Sequence, residues 1–348
     1  MNIIILGTGL MAAQHAKAFL AIDGVEVVGC IDIDETRAKE FAATHGIDQW
    51  FTDLEQALGS VNADAIANVT PDAVHYRTTM QAISAGLHVF CEKPLATNYS
   101  HAAEMTKAAL DANLITGVNL TYRNVSAIQT ARELVASGRI GEVRHFEASY
   151  LQSWLTQPAW GDWKTDSTWL WRLSQKHGSS GVLGDVGIHI FDFATFAIDD
   201  AITQLRADLT VFDKAPGNRI GEYDLDANDS FVMTARTENG ATGVVHASRF
   251  ASGHINDLSL KIFGTKGGIS VSNSGDLGSI SISEGEDLET GTWRDVSLEP
   301  VETNYEKFAR AVESGSGMQP DFATATRLQA VIDSAIDSDA SGKQILLK

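Results

Sequence analysis

Asn2-Ile3-Ile4-Ile5-Leu6-Gly7-Thr8-Gly9-Leu10-Met11-Ala12 opens the chain, and its reading decides the fold. Asn2–Leu6 is a short apolar run with isoleucine repeated, which reads as a buried strand. It stops at G-x-G-x-x-A, and a helical pattern follows through Leu20. Gly7 permits a tight turn, and Gly9 lets a pyrophosphate approach the backbone. Ala12 keeps helix and strand close, while the helix N-terminus favours the anion. Thr8, Leu10 and Met11 complete the loop. The next run, 25–31, is again a strand, and Asp32 closes it twenty positions beyond Ala12. An acid there suits the adenosine ribose hydroxyls. It would repel a 2′-phosphate, and Ile33 brings no positive charge; Arg37 lies a few residues into the next helix. NAD is therefore expected in preference to NADP.

Alternation of strand and helix continues. Residues 64–69 read as a strand ending in Thr70-Pro71, with proline favourable at a helix start. The helix that follows carries His75, read either as a nicotinamide-side contact or as a surface histidine. Leu87-His88-Val89-Phe90-Cys91-Glu92-Lys93-Pro94 is an apolar strand that ends on an acid, a base and a proline. A helix is expected over about 98–112 and a strand over 114–120. This order implies a parallel, doubly wound sheet. Thr70, Lys93 and Asn119 then fall at carboxyl ends of strands, where α/β proteins bind ligands. A lysine at such an end loses hydration and can serve as an acid/base group. From this stretch alone, the solvated surface lysine is the favoured reading. Glu92 either orients Lys93 or contacts the cofactor, and proline fixes the backbone after Lys93, with a cis bond one way to do so.

The bulk numbers bound the function. The 348 residues suffice for two cores, 44% are hydrophobic and 20% charged, and the net charge is -19. That charge argues against nucleic acid and anionic membranes. No apolar run approaches a membrane span. Cys30 and Cys91 both close apolar runs and show no metal spacing, so no metal is expected. Buried thiols and a chain that begins directly with a strand, with no signal peptide, suggest the cytoplasm.

After Tyr122-Arg123 the pattern changes. A helix is expected over about 125–137 and a long strand over 143–151. The segment 153–180 has little periodicity and holds Trp154, Trp160, Trp163, Trp169 and Trp171. These rings either give a long loop its own core or present apolar faces to a sugar or cyclitol. Residues 181–196, GVLGDVGIHIFDFATF, read as a helix. Asp185 and His189 are four apart and so share a face. A carboxylate beside a histidine can fix its tautomer, as a general acid/base requires. Asp192, near the same face, reads as a structural contact. From about 203 to 296 the reading is strands, with turns at Asn239-Gly240 and at 266–268, forming one large, mostly antiparallel sheet. Its second face needs cover from helices or another subunit. Two closing helices, about 301–313 and 321–334, are expected to pack back on the first domain. The expected domains are 1–121 and 122–348.

The chain resembles the Gfo/Idh/MocA family of NAD(P)-dependent oxidoreductases, which act on sugars and cyclitols. The resemblance rests on Gly7 to Ala12, Thr70-Pro71 with His75, Glu92-Lys93-Pro94, Trp171-Arg172, and Gly184-Asp185-x-Gly187-x-His189 leading into Phe191-Asp192. It implies a Rossmann domain followed by an α/β domain with a large open sheet, often the subunit interface of a homodimer or homotetramer. It further implies a catalytic set of Lys93, Asp185 and His189, with Trp171, Arg172 and Arg123 helping to build the substrate pocket. The expected reaction moves a hydride between NAD and a ring hydroxyl or carbonyl of a carbohydrate or polyol. Alternatives are a glycosidase using NAD in a transient redox cycle and a non-catalytic protein sensing NAD or sugar.

Overall fold

The computed structural model describes residues 1–158 and 160–347. They form two compact units, 1–121 with 302–329 and 122–301 with 330–348. In chain order the first unit opens with β1 (Asn2–Leu6), α1 (Leu10–Leu20), β2 (Glu26–Ile31), α2 (Glu35–His45), β3 (Trp50–Phe51) and α3 (Leu54–Ser60). It continues with β4 (Ala65–Asn68), α4 (His75–Ser84), β5 (His88–Cys91), α5 (Tyr99–Asp111) and β6 (Thr116–Val118). The second unit supplies α6 (Ser126–Ala136), β7 (Val143–Leu151), α7 (Ser167–Leu170), α8 (Ile188–Ile198), β8 (Ile202–Thr210), β9 (Arg219–Ile220) and β10 (Tyr223–Asp224). Then come β11 (Ser230–Thr237), β12 (Thr242–Ser248), β13 (Asp257–Gly264), β14 (Gly267–Ser272), β15 (Ser279–Glu284), α9 (Asp287–Thr290) and β16 (Arg294–Asp295). The chain closes with α10 (Asn304–Ser314), α11 (Phe322–Ser341) and β17 (Ile345–Leu346).

The first unit is a six-stranded sheet in the order β3-β2-β1-β4-β5-β6. Every pairing is parallel, which is the doubly wound order of a Rossmann domain. Ile3, Ile4, Ile5, Val89 and Phe90 have no exposed surface, as strands covered on both faces require. Helix α10 returns to this unit. Its Tyr305 and Phe308 meet Phe19 and Phe90, with ring centroids 5.2 to 6.4 Å apart. Full burial of one such ring stabilises by roughly 1.5–3 kcal/mol. Edge strand β3 has only two residues, too few to leave a period-2 signal in the sequence.

The second unit is built on a nine-stranded sheet, β16-β15-β14-β13-β7-β12-β11-β8-β17. Its pairings are antiparallel except for β12 with β7. Alternation is strict along the adjacent strands β7 and β12 and over Leu258–Ile262 of β13. Phe146, Ala148 and Tyr150 of β7 are buried, as are Gly243, Val245 and Ala247 of β12 and Leu258, Leu260 and Ile262 of β13. The intervening residues, such as Glu147, His246 and Lys261, are at least partly exposed, so one face is covered and the other open. The β13–β14 turn is shorter than its glycines suggest. Thr265-Lys266 alone link the strands, and Gly267-Gly268 already pair with Ser283 and Glu284 of β15.

Helix α8 lies buried along nearly its whole length, and with it goes a charge. Asp192 accepts from Nε of Arg123 at 2.9 Å and from its Nη2 at 2.5 Å. The Arg123 guanidinium also lies 4.2 Å from the Phe196 ring. Breaking a buried pair leaves one charge uncompensated, at a cost of about 3–5 kcal/mol. Asp192→Ala is therefore expected to lower the unfolding free energy by roughly that amount, measured by urea denaturation; a loss below about 1 kcal/mol would make the pair incidental.

Candidate active site

The first strand ends build a cradle. Gly7 has φ +94°, and a Cβ on it would sit 2.6 Å from the Val69 carbonyl oxygen, so no side chain fits there. A Cβ on Gly9 would meet nothing within 4 Å, which leaves open space beside the loop backbone. Helix α1 has no side-chain cap on its N-terminus, so no side chain competes for the anion that uncapped N–H groups favour. Asp32 closes the cradle. Its Oδ2 accepts from Thr8 N at 3.1 Å and Thr8 Oγ1 at 2.6 Å. Burial works against its charge, but the bonds from Thr8 and Asp34 and the Arg37 guanidinium hold its carboxyl below the usual range. Arg37 is closer than its sequence position suggests, with Nη2 2.9 Å from Asp32 Oδ1. Asp34 caps α2 and so brings the helix's first turn beside the strand end. Leu10 and Ile33 are 87% and 89% exposed, two apolar side chains left in water around the cradle. Open glycine backbone, an uncapped helix, a paired carboxylate and bare apolar flanks together fit a dinucleotide.

The next three strand ends are tied to one another. Thr70 donates its backbone N–H and hydroxyl to Asn68 Oδ1, whose amide in turn donates to Thr78 and Thr79. His75 is fully buried, so the expectation of a surface histidine is wrong. Its Nε2 lies 2.7 Å from the Thr70 carbonyl oxygen and its Nδ1 2.7 Å from that of Pro94. With both nitrogens occupied by backbone, the ring holds loops together. The Lys93–Pro94 peptide is cis. Glu92 is buried as well. Its Oε1 meets His15 Nε2 at 2.7 Å and accepts from Asn119 Nδ2 at 2.6 Å, while its Oε2 accepts from Lys93 N at 3.2 Å. Asn119 also donates to the Tyr305 hydroxyl at 2.9 Å. Burial opposes the Glu92 charge, yet the bond and charge of His15, the Asn119 amide and the Lys93 charge hold the carboxyl down at about 2. Glu92 is thus an anion at every working pH, an anchor beside Lys93.

The second unit sets its own cluster. Residues 183–187, which carry Gly184-Asp185-x-Gly187, form a π-turn leading directly into α8. A Cβ on Gly184 would lie 2.3 Å from that of Ser180, so the wide turn needs glycine. Such turns often occur at functional sites. Asp185 accepts from Nη2 of Arg249 at 2.9 Å, and Arg172 Nε lies 4.0 Å away. Arg249 has no exposed surface. It donates its other arm to the Arg172 carbonyl at 3.1 Å and lies over the Trp154 ring at 5.0 Å. His189 is 8% exposed, with the Tyr122 ring edge-on at 5.1 Å. Tyr122 and Tyr150 share a hydroxyl bond at 2.6 Å, and Tyr150 donates to Asn256, also at 2.6 Å.

The tryptophans divide. Trp154 and Trp163 are core, packed with Leu155, Leu170, Leu173 and Leu225, and Trp160 and Trp169 lean on that cluster. Trp171 is 38% exposed, with the Arg172 guanidinium 4.6 Å from its ring. These two present surface that a ligand can reach. Arg123, expected in the substrate pocket, has its guanidinium engaged inside by Asp192, which is its partner because α8 buries that carboxylate. His15, Asn68 and Arg249 escaped sequence reading. At Arg249 the sequence shows only an arginine directly after an apolar-alternating run; its burial appears in the structure alone.

Comparison with known proteins agrees at the level of family. Residues 1–120 match the NAD-binding Rossmann-fold oxidoreductase model, and residues 128–270 match the GFO/IDH/MocA C-terminal domain model. The levoglucosan dehydrogenase of Pseudarthrobacter phenanthrenivorans is 27% identical over 291 residues, 77% of this chain and 73% of that protein. The myo-inositol 2-dehydrogenase of Thermotoga maritima is 28% identical over 277 residues, 78% and 75% of the two chains. A solved levoglucosan dehydrogenase bound to NADH and levoglucosan shares the fold, with a TM-score of 0.88 at 24% identity, over 100% of this chain and 99% of that one. With a Rossmann sheet and its glycine cradle in the first unit and a large mixed sheet in the second, the chain belongs to the Gfo/Idh/MocA family, as an NAD(P)-dependent oxidoreductase acting on CH–OH groups.

Proposed function

We propose that this protein oxidises or reduces one ring position of a sugar, sugar derivative or cyclitol, with NAD as the preferred cofactor. The observation that carries this reading is the paired, buried Asp32 beside the open glycine cradle, with Leu10 and Ile33 bare around it. Gly7, Thr8, Gly9, Leu10 and Met11 would hold the pyrophosphate, and Asp32 and Ile33 the adenosine. Thr70, Pro71, Glu92, Lys93 and Asn119 would shape the nicotinamide end, with His75 behind them. The dinucleotide supplies the hydride donor or acceptor. A cytoplasmic setting fits the two free, buried cysteines.

Lys93, Asp185 and His189 are the proposed acid/base set. His189 takes the hydroxyl proton of the alcohol, and Lys93 donates a hydrogen bond to the same oxygen, stabilising the charge that develops there. Asp185, paired with Arg249, supplies a fixed negative charge in the turn preceding His189. Trp171 and Arg172 would border the sugar. The open face of the nine-stranded sheet is the proposed surface for a homodimer or homotetramer, which sedimentation can test.

Sugars, inositols and sugar acids offered with NAD⁺ and NADP⁺, followed by NADH absorbance, test the reaction. Turnover of at least one ring polyol with NAD⁺ is expected. Release of an aryl group from a glycoside without net NADH would instead favour transient redox glycoside cleavage. Lys93→Ala and His189→Ala should each lower turnover by roughly 10²–10⁴-fold while NADH still binds; near-parental turnover removes that residue from the set. Asp32→Ser with Ile33→Arg should raise the NADP/NAD preference ratio, helped by Arg37 once its carboxylate is gone, and an unchanged ratio refutes the assignment of Asp32.

The depressed Glu92 carboxyl also fixes a sign. A group lowered to about 2 in the folded state contributes stability that is complete above its unfolded value and lost as pH falls toward 2. Glu92→Gln should therefore be less stable than the parent at pH 7, with the gap closing between about pH 4.5 and 2. Urea unfolding across that range that shows a constant gap contradicts a charged Glu92.

A further inference from the structure

Both ring nitrogens of His75 face backbone groups that can only accept. Its two ring nitrogens each lie 2.7 Å from a backbone carbonyl oxygen, Nε2 from Thr70 and Nδ1 from Pro94. A carbonyl has no proton to give, so a ring nitrogen at that distance must carry one. A neutral imidazole has a single N–H. It would press the lone pair of its other nitrogen against a carbonyl oxygen in a site with no exposed surface.

From this geometry we propose that His75 is a standing imidazolium across the neutral pH range, a cationic clamp joining the loop after β4 to the loop after β5. It is a positioning residue. One arm holds Thr70, the residue that leads into Pro71. The other holds Pro94, whose nitrogen is bonded to the Lys93 carbonyl carbon. The groups that face the ring are consistent with its charge. Burial opposes it, while the Cys91 sulfur of β5, the Asp72 carboxylate ahead of α4 and the Pro94 carbonyl outweigh burial and push the imidazole up to about 10. Asn68 braces the same turn from inside, since its amide donates to Thr78 and its Oδ1 accepts from Thr70. A proton thus ties two strand ends that the sheet's own hydrogen bonds no longer reach.

The charge state rests on the two carbonyl contacts alone. Its consequence for Lys93 rests on the function proposed above. Two measurements on the full chain keep the two apart. In ¹⁵N-histidine-labelled protein at pH 8.5, long-range ¹H–¹⁵N correlation should show one ring with both nitrogens protonated, slow to exchange, and absent from His75→Gln. A ring at position 75 with a single protonated nitrogen overturns the proposal, and this reading on the parent protein stands even where the variant fails to fold. His75→Gln offers one donor for two carbonyls. It should weaken NADH binding, read by fluorescence titration, by roughly 3–30-fold, the loss of one to two hydrogen bonds, with His75→Asn no better. Parental NADH affinity in a folded His75→Gln overturns the positioning role. Should Lys93→Ala keep full turnover, the catalytic reading fails while the double protonation still stands or falls on its own spectrum.

Discussion

Glu92 keeps its charge with almost no water around it, and the first unit is arranged to make that possible. A bare buried carboxylate would neutralise itself. Here His15 arrives from α1, Asn119 from the end of β6, and Tyr305 from α10 closes the shell through Asn119. Two segments far from β5 in sequence therefore converge on one oxygen pair, and a third backs them through Asn119. The residue after that carboxylate is Lys93. Its backbone N–H points at Glu92, and its neighbour Pro94 is held by His75. The lysine is thus presented from a backbone gripped on both sides, the preorganisation that acid/base chemistry requires.

The second unit solves a similar problem with the opposite sign. Arg249 is the buried cation, and burial pulls its guanidinium below the usual value while Asp185 and Asp229 work to keep it charged. Its arms run to Asp185 and to the Arg172 carbonyl. The π-turn at 183–187, permitted by Gly184, widens the helix just where Asp185 must meet that guanidinium. Trp154 and Trp163 stiffen the irregular 153–180 segment from below, so that Trp171 and Arg172 are displayed from a packed base.

What was legible in the sequence was what local pattern encodes. G-x-G-x-x-A between a strand and a helix, Asp32 at the next strand end, and β5 running into Glu92-Lys93-Pro94 all lie where their spacing placed them. The long strand expected over 143–151 is β7 to the residue. What was hidden was pairing over distance. His15 and Glu92 are 77 positions apart, and Arg249 and Asp185 are 64 apart, and nothing local marks either as a partner. Arg123 went the other way: the resemblance implied a substrate-pocket contact, but Asp192, buried in α8, engages its guanidinium. The tryptophans could not be sorted by pattern, because an irregular segment has no period to assign inside from outside.

The central claim is that a ring carbon of a polyol and the nicotinamide exchange a hydride in this protein. The most direct measurement uses a cyclic polyol deuterated at the oxidised carbon, incubated with the full chain and NAD⁺, with the NADH analysed by mass spectrometry. One deuterium should appear on the nicotinamide ring of the NADH formed. NADH without deuterium, or a deuterated polyol consumed with no NADH at all, would contradict direct transfer.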